Sequence, residues 1–378
     1  MNVRLSKTRF IAGRQCELRL WNDVHRRDLA TAWSDTQQAI FDRGTRIGEL
    51  AQARYPGGVL AGYKPWEREP AIAETQRLMA DESVPAIYEA AIEHRGLYAR
   101  VDVLLRNGSS WHLVEVKGST RPDKEVFLQD VAVQYWAATG AGLDIASAGV
   151  LVLNREYIHE GGDYDLQRLF RLGDATEFCI QAHAEIEADV ARFQAMLAAE
   201  QPPDIGIGDH CFSPYECPYY AHCSAGLPVP DYPVTSLYRL RAPQRDELAR
   251  AEIEEIADIP DDFSLNELQS RMRRAVIDGR PWISPGLRSV LDTLEAPACF
   301  LDFEAFQPAL PRYAGTRPFD AIPFLYSVHR RAPNGALEHD ECLHATDSDP
   351  RRAIAERLLD DLGTVGSIVV YSGYERRM

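Results

Sequence analysis

The amino-acid sequence predicts an α/β fold, and three observations carry that reading. Four strand-like runs lie among helical runs in the first 225 residues, a stretch of helical period follows a proline-rich exit, and strand texture returns near Ala298. The boundaries follow those changes: a first domain over 1–225, a helical linker domain over 226–296 and a C-terminal α/β unit over 297–378.

In chain order, helices are expected at Lys7–Val24, Thr36–Tyr55, Lys124–Thr139 and Ala175–Ala199, and strands at Ile87–His94, Leu97–Leu105, Trp111–Lys117 and Ala148–Leu153. Three prolines between Gly226 and Pro233 mark the exit from this domain. Beyond them Leu248, Ile253, Ile256, Leu265, Leu268, Met272 and Val276 recur at spacings of three to five, which suits a small helical unit. Short strand-like runs then appear at Cys299–Phe306, Phe324–His329 and Ser367–Tyr371.

Composition narrows the function classes. A chain of 378 residues that is 45% hydrophobic and 26% charged is ordinary globular protein, not a disordered or fibrous one. No apolar run has the roughly 18 residues a membrane span needs, and the basic start lacks the apolar core of a signal peptide, so a cytoplasmic protein is expected. The net charge of -16 argues against a basic nucleic-acid coat but leaves room for a local basic groove. Arg4, Lys7, Arg9, Arg14, Arg19, Arg26 and Arg27 outweigh Glu17 and Asp23 near the start. Arg271, Arg273, Arg274, Arg280 and Arg288 form a second basic stretch around Asp278. Seven cysteines are too few for a disulfide scaffold, so a cluster among them reads as metal-binding or reactive.

The segment Tyr98–Lys117 is the most informative. Asn107-Gly108 between apolar runs signals a hairpin, and with those two residues as the loop Arg106 pairs with Ser109. Asp102 then lies diagonal to Glu115 and on the face of Lys117, with Val101, Val103, Val114 and Val116 on the other face. Two carboxylates and a lysine on one face suit a hard divalent cation, with the lysine supporting charge that develops on a phosphate.

Ala99-Arg-Val-Asp102 followed by Glu115-Val-Lys117 resembles the RecB-like branch of the PD-(D/E)XK nucleases, with alanine where their pattern has glycine. The resemblance spans about residues 5 to 225 and implies a restriction-endonuclease-like core that uses Mg²⁺ or Mn²⁺ on DNA. It implies Asp102 and Glu115 as metal ligands, Lys117 as their catalytic partner, and Asp130, Gln134 and Tyr135 on the following helix in supporting catalytic roles. Gly44-Thr-Arg-Ile-Gly48-Glu49 resembles the early-helix motif of these nucleases with glycine in place of histidine, which leaves Glu49 to stand in as a ligand. Glu89, on the preceding strand, is a further acidic contributor.

Cys211, Cys217 and Cys223 follow one another at spacings of six, and Cys16 is the natural fourth ligand. The same layout, one cysteine before the core and three after it, resembles the iron-sulfur RecB-like nucleases, which implies a 4Fe-4S cluster clasping both ends of the domain. Zinc is the alternative, with His210 or His222 replacing a thiolate. Cys179, Cys299 and Cys342 sit in apolar contexts and read as buried small hydrophobes.

Asp302 and Glu304 sit at i and i+2 on one strand face, a two-metal arrangement in miniature. They resemble the first motif of DEDD-type exonucleases, and Ile368–Glu375 resembles the second, with Glu375 in place of aspartate. The implication is a partial, RNase H-like domain whose site lacks its remaining residues and is inactive. The expected function is a metal-dependent DNA nuclease acting on single strands or ends, with the basic N-terminal segment tracking phosphate and Phe212, Tyr215, Tyr219 and Tyr220 stacking bases. The rivals are a catalytically silent nucleic-acid-binding scaffold and an iron-sulfur redox sensor.

Overall fold

The computed structural model describes residues 5–64 and 66–377, so Arg4 of the basic segment lies outside the described residues. The chain divides into two compact units. The first holds Met1–Ser224 together with Ala305–Pro323 and Thr346–Arg351; the second holds Ala225–Glu304, Phe324–Ala345 and Arg352–Met378. The linker region and most of the C-terminal region thus belong to one unit, and two short segments return to the first. Among the described residues no helix is long and apolar enough to cross a membrane.

The first unit begins with β1 (Leu5–Ser6), α1 (Lys7–Gln15), α2 (Glu17–His25), α3 (Asp35–Ala53), β2 (Val59–Leu60) and α4 (Arg68–Ala80). It continues through β3 (Ala86–His94), β4 (Leu97–Asn107), β5 (Ser110–Lys117), α5 (Glu125–Gly140), β6 (Ile145–Leu153), α6 (Leu166–Leu169), β7 (Phe170–Asp174), α7 (Thr176–Leu197) and α8 (Tyr220–Cys223). The strands form one mixed seven-stranded sheet in the order β2-β3-β4-β5-β6-β7, with β1 added alongside β4. Period-two alternation divides its buried residues: Val150 and Val152 pack with Val131 and Trp136 of α5 in one cluster, while Leu151 and Leu153 pack with Ile47 of α3 in another. Val103, Val114 and Val116 join the α3 cluster as expected, whereas Val101 joins the α5 cluster.

The single helix expected over Lys7–Val24 is two helices, parted at Cys16, whose φ of -164° and ψ of 124° are extended. Ser6 caps α1 through its side chain, and Ser34 with Gln37 forms a capping box on α3. Helix α4 has no counterpart among the expected elements.

The second unit carries α9 (Ala242–Arg250), α10 (Glu267–Asp278), α11 (Leu287–Leu291) and β8 (Ala298–Phe306), whose last two residues fall in the first unit. Then come β9 (Ile322–Arg331), β10 (Leu337–Leu343), α12 (Arg351–Leu362) and β11 (Ser367–Val370), with sheet order β10-β9-β8-β11. Leu248, Ile256 and Ile259 form a small core with Ile253, Leu265, Met272 and Val276, as the helical spacing requires. Leu268, by contrast, is exposed. Cys299, Leu301, Phe303, Tyr326, Val328 and Ile354 form the core beneath the sheet.

Candidate functional site

The site lies where two strands part. β4 and β5 pair from Asn107↔Ser110 to Val103↔Val114, and farther along β4 the neighbour is β1, at Leu5↔Leu97 and Ser6↔Tyr98. In the opening the Val116 amide donates to Asp102 Oδ2 at 2.7 Å, so a side chain completes the pairing that the backbone gives up. The hairpin loop is Gly108-Ser109, not Asn107-Gly108, and Arg106 faces Trp111. Gly108, at φ 61°, supplies the positive φ that a glycine-first two-residue turn requires. A shift of two residues preserves the face, which is why Asp102, Glu115 and Lys117 remain together despite the altered register.

Glu115 is only 2% exposed. Its Oε1 accepts from Lys7 Nζ at 2.7 Å and pairs with Lys117 Nζ at 2.8 Å, while Oε2 accepts from Gln134 Nε2 at 2.7 Å. Lys117 also donates to Asp130 Oδ2, and Gln134 Nε2 reaches the Asp130 carbonyl at 2.9 Å. One turn of α5 supplies both Asp130 and Gln134, as their i, i+4 spacing dictates. The Gln134 amide nitrogen serves two acceptors, and its Oε1 is a buried acceptor without a hydrogen-bond partner.

Burial first, and then the charge of Glu115, pushes the Asp102 carboxyl up to about 8. Burial also opposes ionisation of Glu115, but the ammonium groups of Lys117 and Lys7 outweigh it and hold that carboxyl below the usual range. Burial works against both ammonium groups as well. Glu115, Asp130 and Asp102 nevertheless raise Lys7, and Glu115 with Asp130 raise Lys117. The two carboxyls are thereby split into a neutral and an ionised member, a division typical of paired acids.

Glu89 lies on β3 between the Tyr88↔Val103 and Ala90↔Val101 pairs, level with Asp102, and pairs with Arg100 at 3.2 Å. Its φ of 57° is strained for a non-glycine residue inside a strand. Tyr135 is not brought to the site; its ring packs on the main core, and its phenol lies under the influence of burial, Cys179 and Asp144. Glu49 is exposed and ion-paired with Arg46 at 3.1 Å, outside the network around Glu115. One residue that the strand motif does not point to reaches the network: Lys7 bonds Glu115 directly.

Asp102 and Glu115 are carboxylates of the kind that hold Mg²⁺ together with substrate phosphate oxygens, and here both oxygens of Glu115 are engaged by Lys7, Lys117 and Gln134. Among the described residues no group of three or more His, Cys, Asp or Glu side chains is placed to hold a metal ion unaided.

Cys16, Cys211, Cys217 and Cys223 line one pocket, together with His210, Asn22 and Tyr219; His222 is not among its lining residues. Burial raises the Cys217 and Cys223 thiols, and each also feels Cys211 and Cys16. The walls are tied across nearly the whole unit. Gln15 Nε2 donates to the carbonyls of His210 at 2.6 Å and Tyr215 at 2.7 Å, and Tyr219 OH donates to Asp23 at 2.8 Å. All seven cysteines are free thiols. Cys179 and Cys299 are buried as expected, while Cys342 is half-buried. The four thiols line one pocket but, among the described residues, are not gathered there into a group placed to hold a metal ion.

Many side chains of the basic segments are paired, although Arg26, Arg280 and Arg288 remain exposed. Arg9 donates to the Asp23 carbonyl, Arg14 pairs with Asp189 and Glu185, and Arg26 pairs with Asp28. Arg271, Arg273, Arg280 and Arg288 pair with Glu267, Asp261, Asp278 and Asp292. Of the aromatics beside the cysteines, Phe212 and Tyr215 are exposed, whereas Tyr219 is buried. Tyr220 packs against Phe212.

On β8, Asp302 and Glu304 are exposed and alternate with buried Leu301 and Phe303, so they share one face. β11 runs parallel to β8 up to Val370↔Leu301. Glu375 accepts hydrogen bonds from the Ser372 amide at 3.0 Å and the Ser372 hydroxyl at 3.1 Å, a local capping role.

No curated protein matches the chain. A solved structure described as "Crystal structure of SSO0001" aligns over 54% of this chain and 80% of its own at 12% identity, with a TM-score of 0.28, a likeness too weak to assign a fold. Residues 299–378 match the model of a family described as a domain of unknown function, DUF2779.

Proposed function

We propose that the first unit is a restriction-endonuclease-like, metal-dependent DNA nuclease of the cytoplasm, hydrolysing phosphodiesters of single strands or ends. The observation that carries this reading is the convergence of Asp102, Glu115 and Lys117 on one sheet face, with Lys117 Nζ 2.8 Å from Glu115 and braced by Asp130. Asp102 and Glu115 would hold Mg²⁺ or Mn²⁺. Bound there, the ion supplies Lewis-acid polarisation of the phosphate and a more acidic water. Lys117 places a fixed positive charge beside the reacting phosphate, Asp130 orients that ammonium, and Gln134 orients Glu115. The four thiols of the cysteine pocket would hold a 4Fe-4S cluster. Zinc is the alternative, and His210 is the histidine positioned to share in it. The acidic pair on β8 reads as part of an RNase H-like unit whose acids are not assembled for catalysis.

Cleavage of end-labelled single- and double-stranded DNA with Mg²⁺ or Mn²⁺ tests the reading, using anaerobically purified wild type and Lys117→Ala. Loss of cleavage in the variant supports it, and equal cleavage by both contradicts it. A second reading, a catalytically silent nucleic-acid-binding scaffold, is favoured by the full neutralisation of Glu115 by two lysines. It predicts DNA binding without cleavage in either protein.

A further inference from the structure

Two ammonium groups share one oxygen of Glu115, and they are held differently. Lys117 has a second carboxylate partner in Asp130, whereas the hydrogen bond of Lys7 Nζ is to Glu115 Oε1 at 2.7 Å. Lys7 is also delivered from elsewhere. It is the first residue of α1, set beside the fork because β1 pairs with the start of β4. Its ammonium lies within the combined field of Glu115, Asp130 and Asp102, the environment in which a divalent cation would gain most.

We propose that Lys7 is a built-in placeholder for the divalent cation: its ammonium holds Glu115 while the cation is absent and leaves that oxygen when the cation binds. This rests on the reading of Asp102 and Glu115 as cation ligands. Removing one of two lysines from a carboxylate frees an oxygen donor while Lys117 keeps Glu115 in place. Lys7, which among the described residues pairs with Glu115 and not with Asp130, is the lysine that can leave at least cost. An ammonium set free beside the site can supply a counter-charge to a substrate phosphate.

Lysine labelling tests the exchange directly, because the chain contains only Lys7, Lys64, Lys117 and Lys124, and Lys64 and Lys124 are exposed internal references. The full-length protein would be acetylated briefly with and without saturating Mn²⁺ and each lysine quantified by mass spectrometry, with Mn²⁺ binding followed by electron paramagnetic resonance. The expected result is a several-fold rise in Lys7 labelling with Mn²⁺, no rise at Lys117, and no change at Lys7 in Asp102→Asn. Lys7→Met, checked for folding by circular dichroism, should bind Mn²⁺ about tenfold more tightly, since a competitor for the site is gone. Unchanged Lys7 labelling in a protein that binds Mn²⁺ through Asp102 would overturn the placeholder and leave the cation site standing. Failure of wild type and Lys7→Met alike to bind Mn²⁺ would overturn both.

Discussion

Asp102 with Glu115 and Asp302 with Glu304 are both pairs of carboxylates on one strand face, yet their surroundings differ. Asp302 and Glu304 project from β8 into solvent. Glu115 is buried beneath α5 and α1, and its two oxygens are taken by two lysines and a glutamine. Burial turns the first pair into an electrostatic device, because removing water makes each partner indispensable. An exposed acidic pair can be changed at little cost, so its presence in a sequence says less about chemistry.

The contrast can be sharpened by a graded set of changes. The largest loss is expected at the clasp: with the cluster or zinc loaded, Cys16→Ser opens a tie spanning nearly two hundred residues and should cost on the order of 4 kcal/mol. Its metal content, read by elemental analysis, should fall together with the unfolding midpoint. Glu115→Ala leaves Lys7 and Lys117 facing each other without their shared carboxylate and should cost about 3 kcal/mol in denaturant unfolding. The pH dependence of Asp102 comes next. In the cation-free protein its carboxyl keeps a proton up to about 8, whereas in the unfolded chain it loses it near 4. The folded state therefore binds more protons between those values, and stability falls as pH rises through that window. The stability difference between wild type and Asp102→Asn should shift against wild type from pH 5 to 8, by at most about 1.4 kcal/mol per unit. Smallest of all, Glu304→Ala should stay within about 0.5 kcal/mol of wild type. A Glu304→Ala loss as large as that of Glu115→Ala would break the comparison.

Much of this was legible because it is local. Period-two alternation put Asp102, Glu115 and Lys117 on one face, and that survived an error of two residues in the hairpin register because the face repeats every two. The i, i+4 spacing of Asp130 and Gln134 likewise carried Asp130 to Lys117 and Gln134 to Glu115. Tyr135, next in sequence, points to the core instead, as a helix rotates about 100° per residue. What stayed hidden is tertiary. Lys7 opens α1 directly after a two-residue strand too short to show a period, and it looked like one more member of a basic run. The break at Cys16 interrupts an unbroken helical pattern because the cysteine must face a pocket that residues beyond 205 complete. Several arginines of the basic runs form ion pairs with acids that their own sequence positions do not single out, such as Arg14 with Asp189.

The most direct test of the central claim is cleavage of end-labelled DNA in Mn²⁺ by three anaerobically prepared full-length proteins: wild type, Lys117→Ala and the double variant Asp302→Asn, Glu304→Gln. The account predicts a loss of at least about 100-fold in Lys117→Ala and wild-type cleavage in the double variant. Cleavage that survives Lys117→Ala and vanishes in the double variant would place the chemistry on β8 and contradict it.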